Sequence, residues 1–154
     1  MLPRNVMISD LEIINSLIRE SKGFWGYSDA FLDDFMKQWG VKETYIHSND
    51  LILFGKGEGL IGLYAFKIND DEAPELDLFF INRKQIGQGI GKIMWQHALD
   101  HALKHHWTEF KIIADPNAEP FYKRMGATTI GTFESFPGRF VPVMKMKLNI
   151  EAEL

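Results

Sequence analysis

The chain of 154 residues contains no cysteine, which excludes disulfides, thiolate zinc sites and a cysteine nucleophile together. Long apolar runs are missing too. No stretch approaches the roughly 20 residues that a bilayer-spanning helix needs, and the opening "MLPRNVMISD" has no signal-peptide core. A soluble, cytoplasmic protein is expected. Basic residues are outnumbered, 17 Lys and Arg against 21 Asp and Glu, for a formal net charge of −4. Phosphate backbones are held by concentrated positive surface, so no nucleic-acid partner and no membrane partner is expected, and the balance suits a small cationic substrate better. Repeats, low-complexity tracts and linkers are absent. The length fits one domain over residues 1–154, which buries about two-thirds of its unfolded surface without a metal or disulfide staple.

What the sequence does contain is an alternation of periods. Leu11, Ile13, Ile14, Leu17 and Ile18 form a helical stripe over residues 10–19, with Ser9 or Asp10 placed to cap it. Ser28 caps a second helix whose Phe31, Leu32, Phe35, Met36 and Trp39 fall at core spacing, ending at Gly40. From residue 44 to 68, "TYIH", "LILFG" and "LIGLYAFKI" read as strands of an antiparallel meander, separated by Asn49-Asp50 and "GKGEG". The turn "NDDEAP" leads to the strand "ELDLFFI". A long helix is predicted over residues 90–106, then the strand "FKIIA", a short helix in "NAEPFYKRMG", and the strands "ATTIGTFE" and "FVPVMKMKL". Strand, long helix, strand makes a right-handed crossover between parallel strands inside an otherwise antiparallel sheet. The predicted class is α/β (α+β), a mixed, mostly antiparallel sheet flanked by helices.

Between the strand and the long helix stands "IGQGIGK", with Gly87, Gly89 and Gly91 at alternate positions. At a helix N-terminus the backbone N–H groups lack intrahelical partners and the dipole is positive, so phosphate oxygens are natural ligands and missing side chains allow close approach. A bare strand-to-helix turn uses glycine in the same way. Two familiar phosphate loops fail on spacing. The mononucleotide pattern needs four residues between glycines and a hydroxyl after the lysine, but Gly87 and Gly91 have three between them and Ile93 follows Lys92. The dinucleotide pattern begun at Gly87 requires glycine where Lys92 stands.

A third pattern fits. "IGQGIGK", then a long helix, a strand and "ADPNAEPFYKRMGA", resembles the GNAT superfamily of N-acetyltransferases, whose motif [QR]-x-x-G-x-[GA] opens the helix after the fourth strand. Gly89 and Gly91 take the glycine positions, while Ile86 departs from the family's Gln or Arg. Asn117, Phe121, Tyr122 and Gly126 match the family's N-x-x-x-F-Y-x-x-x-G segment. The resemblance implies the GNAT fold, acetyl-CoA as co-substrate without a metal, and direct transfer in a ternary complex to a primary amine of a small molecule, amino acid or peptide. It implies that Ile86, Gly87, Gln88, Gly89, Ile90, Gly91 and Lys92 hold the pyrophosphate, that the backbone of Phe79, Phe80 and Ile81 pairs with the pantetheine arm, and that Asn117 and Phe121 border the cofactor.

An amine of lysine type has a pKa near 10.4, so only about one molecule in 10³ is unprotonated at pH 7 and a base is needed. Glutamate at the offset of Glu75, eleven residues before Ile86, is the general base in some relatives, and Asp77 lies on the same strand face. Tyr122 stands at the family's acid position, able to protonate the departing thiolate. Trp25 and Tyr27 in "SKGFWGY", Arg139 in "SFPGRFVP" and Asp77 are the expected acceptor-side residues. Each has a plain alternative: carboxylates facing water, Phe121 as packing, Asn117 as the cap of the short helix, Arg139 as a turn residue. His97, His101 and His105 recur every fourth residue, and a solvated helix edge is the expectation for them rather than a metal site. A catalytically silent acyl-CoA-binding module of the same fold is the alternative function, and a nucleotide-binding crossover domain a more distant one. A monomer or homodimer is expected.

Overall fold

The computed structural model describes residues 1–55, 59–68 and 73–149. The middle of "GKGEG" and most of "NDDEAP", predicted as turns, lie outside the described residues. The elements in order are β1 (Pro3–Asn5), α1 (Leu11–Gly23), α2 (Asp29–Trp39), α3 (Glu43–Ser48), β2 (Asp50–Phe54), β3 (Gly62–Lys67), β4 (Glu75–Ile81), α4 (Ile90–Lys104), β5 (Glu109–Ile113), α5 (Glu119–Arg124), β6 (Thr128–Phe136) and β7 (Arg139–Lys147). The strands form a sheet of order β1-β2-β3-β4-β5-β7-β6. Antiparallel ladders join β1 to β2, β2 to β3, β5 to β7 and β6 to β7, whereas β4 and β5 are parallel, with Glu75 opposite Lys111. The parallel pair with α4 between its strands is the crossover that the alternation of periods predicted.

The chain divides into two compact units, residues 1–66 with 78–94 and residues 67–77 with 95–154. In the first, Ile14, Leu17 and Ile18 of α1 pack with Leu51, Leu53, Leu63, Ala65 and Leu78 of the strands. Burying such aliphatic side chains is worth roughly 1.5–3 kcal/mol each, which holds an amphipathic helix that would be marginal alone. Polar anchors set its position. The Asn15 side chain accepts from the Val41 N–H at 2.8 Å and donates to the Val41 carbonyl at 2.9 Å, fixing the chain that leaves α2. Arg4 grips Asp10 through two hydrogen bonds of 3.0 Å, and this pairing holds the Asp10 carboxyl below its ordinary range. In the second unit, Trp95 of α4 packs on Phe110 and Tyr122 with ring centroids 5.7 and 5.8 Å away, and Ile112 and Met144 are buried as well.

Three local expectations are corrected, and strand β1 had no expectation at all. "TYIH" lies in helix α3, not in a strand: Tyr45 and Ile46, neighbours in sequence, both pack against the core, which alternation across a strand does not allow. The strand β1 carries only the short segment Pro3–Asn5, too brief for a period to show. The first helix is preceded by a 3-10 turn at Ile8–Asp10, and the Asp10 side chain accepts from the Met7 N–H at 2.8 Å instead of capping α1. Trp39, at core spacing near the end of α2, is 38% exposed, because α2 ends there and the core contact is made one turn earlier by Phe35 and Met36. Ser28 does cap α2, its hydroxyl accepting from the Phe31 N–H at 3.1 Å.

Candidate active site

Strand β4 begins with a charged residue in a buried place. Glu75 is 8% exposed, between the half-buried Pro74 and the buried Leu76. Removing a carboxylate from water disfavours its charged form, and that burial is the main reason the Glu75 pKa is raised from 4.5 to about 7. The hydrogen bond and charge of Asp77 push in the same direction, while Lys111 and Lys67 oppose them. Lys111 Nζ lies 3.8 Å from Glu75 Oε1, across the parallel pair in which these two residues are partners. The arrangement gives a carboxyl group that exchanges its proton near neutrality, the property a general base for an ammonium requires.

Tyr122 stands on α5, buried beside Trp95 and Phe121. Burial first, and the negative charge of Asp115 second, raise its phenol well above the ordinary value, so it keeps its proton at any neutral pH. Asp115 also terminates β5's exit. Its Oδ1 accepts from the Asn117 backbone N–H at 2.8 Å and from Asn117 Nδ2 at 3.0 Å, capping a 3-10 turn at Pro116–Ala118. Asn117 therefore sits inside the turn that Asp115 caps, as the Asp-Pro step favours, and the N-cap position of α5 is Ala118, with no side-chain cap. Arg139, expected on the acceptor side, has Nη2 3.9 Å from Asp115 Oδ2 and donates from Nη1 to Ser135 Oγ at 2.9 Å. It is engaged within the β6–β7 hairpin.

The glycine segment lies in the other unit. Asn82 closes β4: its N–H donates to the Ile61 carbonyl at 2.7 Å, its Nδ2 to the Leu60 carbonyl at 3.0 Å, and its Oδ1 accepts from the Lys84 N–H at 3.0 Å. After a 3-10 turn at Arg83–Gln85, Gly87 and Gly89 adopt φ of +90° and +81°, and a Cβ at either would meet nothing within 4 Å. The positive φ requires glycine, and the open space beside it is a cradle of bare backbone at the start of α4. Ile86, Ile90 and Gly91 are half-buried, whereas Gln88 and Lys92 are exposed. Phe79, Phe80 and Ile81 are half-buried on β4. Gln85, beside the departing Ile86, buries its Oε1 with no hydrogen-bond partner among the described residues.

Trp25 and Tyr27 follow α1 in the same unit. Trp25 is 44% exposed and meets Phe24 edge-on at 5.1 Å. Tyr27 stacks on Phe31 at 4.5 Å and lines a cavity of about 140 Å³ with Arg19, Asp29 and Arg83. The histidines divide. His97 is half-buried and its pKa lowered by burial, while His101 and His105 stack at 4.4 Å and lean on Trp107. Three residues escaped the sequence reading. Lys111 was signalled by a charge within the apolar run "EFKIIA", Asp115 by its proline, and Arg83 by nothing local.

The family model described as Acetyltransferase (GNAT) domain matches residues 17–150. No protein of curated function matches the chain in sequence. Among solved structures, the chain is similar to the PaiA N-acetyltransferase from Thermoplasma acidophilum in complex with coenzyme A, at TM-score 0.78 and 20% identity, covering 95% of this chain and 98% of that one. It is similar to a GCN5-related N-acetyltransferase from Rhodopseudomonas palustris, at TM-score 0.78 and 14% identity, covering 96% and 95%. It also resembles a chimera of the Vibrio cholerae spermidine N-acetyltransferase SpeG, at TM-score 0.70 and 19% identity over the whole of both chains.

Proposed function

Because the chain belongs to the GNAT acetyltransferase family and is an acyltransferase with acetyl-CoA as co-substrate, we propose that it carries the acetyl group directly to a primary amine of a small molecule, amino acid or peptide. The observation that carries this reading is Glu75, a buried carboxyl at the start of β4 whose pKa lies near 7. In its charged form it takes a proton from the acceptor ammonium, directly or through water, and leaves a nitrogen lone pair free to attack. A base that titrates near the working pH is both deprotonated often enough and basic enough to act.

Acetyl-CoA supplies an activated thioester. The bare backbone at Gly87 and Gly89 and the first N–H groups of α4 suit its pyrophosphate, since both glycines leave the approach open. Negative charge grows on sulfur as the thioester bond breaks. Tyr122, with its proton held firmly by burial, donates a hydrogen bond there, and the thiolate leaves already stabilised. Asp77, two residues from Glu75 on the same strand, is the residue of this unit placed to face the acceptor ammonium.

Calorimetric titration with acetyl-CoA, with ATP and NAD as controls, tests the cofactor half of the proposal. Thiol release against a panel of amines tests the transfer. Micromolar binding of acetyl-CoA together with amine-dependent thiol release is the expected result. Binding without release for any amine would favour the silent module, and no binding would remove the assignment of the glycine segment.

A further inference from the structure

We infer that Lys111 is a positioning residue for Glu75: its ammonium, on the strand that pairs in parallel with β4, orients the carboxylate and favours its proton-accepting form. The inference rests on the proposed role of Glu75. Three features of the geometry point to it. Glu75 and Lys111 are register partners, so their side chains project from the same face, and Nζ sits 3.8 Å from Oε1. The Lys111 backbone is itself fixed, its N–H donating to the Pro74 carbonyl at 2.9 Å. The Glu75 side chain is 11% exposed and that of Lys111 31%, so solvent screens this pair less than one on an open surface.

The charged groups around Glu75 do not balance without Lys111. Asp77, on the same strand, hydrogen-bonds Glu75 and repels its charge, while Lys67, at the end of β3, and Lys111 attract it. These are the charged groups acting on Glu75 among the described residues. Of the two lysines Lys111 exerts the stronger pull. Without Lys111 the carboxyl would hold its proton to higher pH, and less of it would be in the form that accepts one. With Lys111 present, the acceptor ammonium loses its proton to a Glu75 oxygen, the nitrogen keeps the electron pair, and the lysine stays charged throughout.

The test compares Lys111→Met and Lys111→Arg with the parent enzyme and with Glu75→Gln. Acid limbs of kcat against pH are recorded, and the Glu75 carboxyl is titrated by carbon-13 NMR, identified by its loss in Glu75→Gln. An opposite charge at this distance lowers a carboxyl pKa by about 1 unit or more, so Lys111→Met moves both the kinetic limb and the carboxyl midpoint upward by about that much. The rate near pH 6.5 then falls several-fold while the alkaline plateau holds, and Lys111→Arg restores the parent profile. An unmoved carboxyl midpoint in Lys111→Met overturns the inference, as does a uniform loss of rate with no shift of the limb. If Glu75→Gln retains full activity, Glu75 is not the base. The carboxyl midpoint still decides separately whether Lys111 governs its ionisation.

Discussion

Two stretches of the chain, a few residues apart, work through opposite parts of the polypeptide. At residues 86–91 the side chains withdraw, Gly87 and Gly89 take positive φ, and the backbone faces open space. At Glu75 and Asp77 the backbone is engaged in a strand and the side chains are the carboxyls proposed for proton transfer, one of them buried. A backbone cradle is built from N–H groups and open space, so it depends little on which side chains flank it. A tuned carboxyl tolerates little, since its pKa depends on burial and on each neighbouring charge. Binding and proton transfer are thereby assigned to regions that fail differently when altered.

The sharpest way to break that contrast is Glu75→Gln, which keeps shape and removes the proposed base. A fall in kcat of about 10²–10⁴, with acetyl-CoA affinity nearly unchanged by calorimetry, is the expected outcome. Tyr122→Phe removes the hydroxyl proposed to hydrogen-bond the leaving sulfur, and steady-state kinetics should register a loss of roughly 10–10² in kcat. Gly89→Val probes the other side. A β-branched residue at φ +81° strains the loop by about 1–2 kcal/mol, so acetyl-CoA binding weakens on the order of tenfold while kcat at saturation changes little. Equal effects of Gly89→Val and Glu75→Gln on both constants would erase the distinction.

A fourth outcome concerns stability. Glu75 titrates at about 7 in the folded chain against an ordinary 4.5, so the folded state holds a proton that the unfolded state releases between those values. The associated stability is complete below about pH 4.5 and is lost as pH rises through about 7. Glu75→Gln removes that loss: its advantage over the parent in chemical denaturation should grow by on the order of 1–3 kcal/mol between pH 4.5 and 8.5. Ser28→Ala, which deletes the cap of α2, is the smallest effect. It costs about 1 kcal/mol in the same assay and should leave both kinetic constants intact.

The parts of the molecule that sequence makes legible are those in which one segment decides its own geometry. Ser28 caps α2 because its hydroxyl reaches an N–H three residues on, and the strand "ELDLFFI" runs over β4 from Glu75 to Ile81. Gly87 and Gly89 announce a backbone that only glycine adopts readily. The alternation of periods likewise prescribes the β4–α4–β5 crossover. Short segments failed: "TYIH" is four residues, too few to tell a strand from the turn and a half of α3.

Tertiary structure alone decided how charges and turns are shared between segments distant in sequence. The neighbours of Glu75 include Lys111, thirty-six residues later, and their 3.8 Å separation exists only because β4 and β5 pair in parallel. Asp115, whose cap on the turn at Pro116–Ala118 is local, also meets Arg139, and that pairing needs a hairpin closed more than twenty residues downstream. Burial, which moves Glu75 upward and locks the proton on Tyr122, is a property of the packed chain and has no local signature. The sequence by itself therefore determined the order of elements and the kind of backbone at the glycine segment, because dihedral preference and hydrophobic period are local. Ionisation and side-chain partnership were settled by packing, because they depend on what the fold places within a few ångströms.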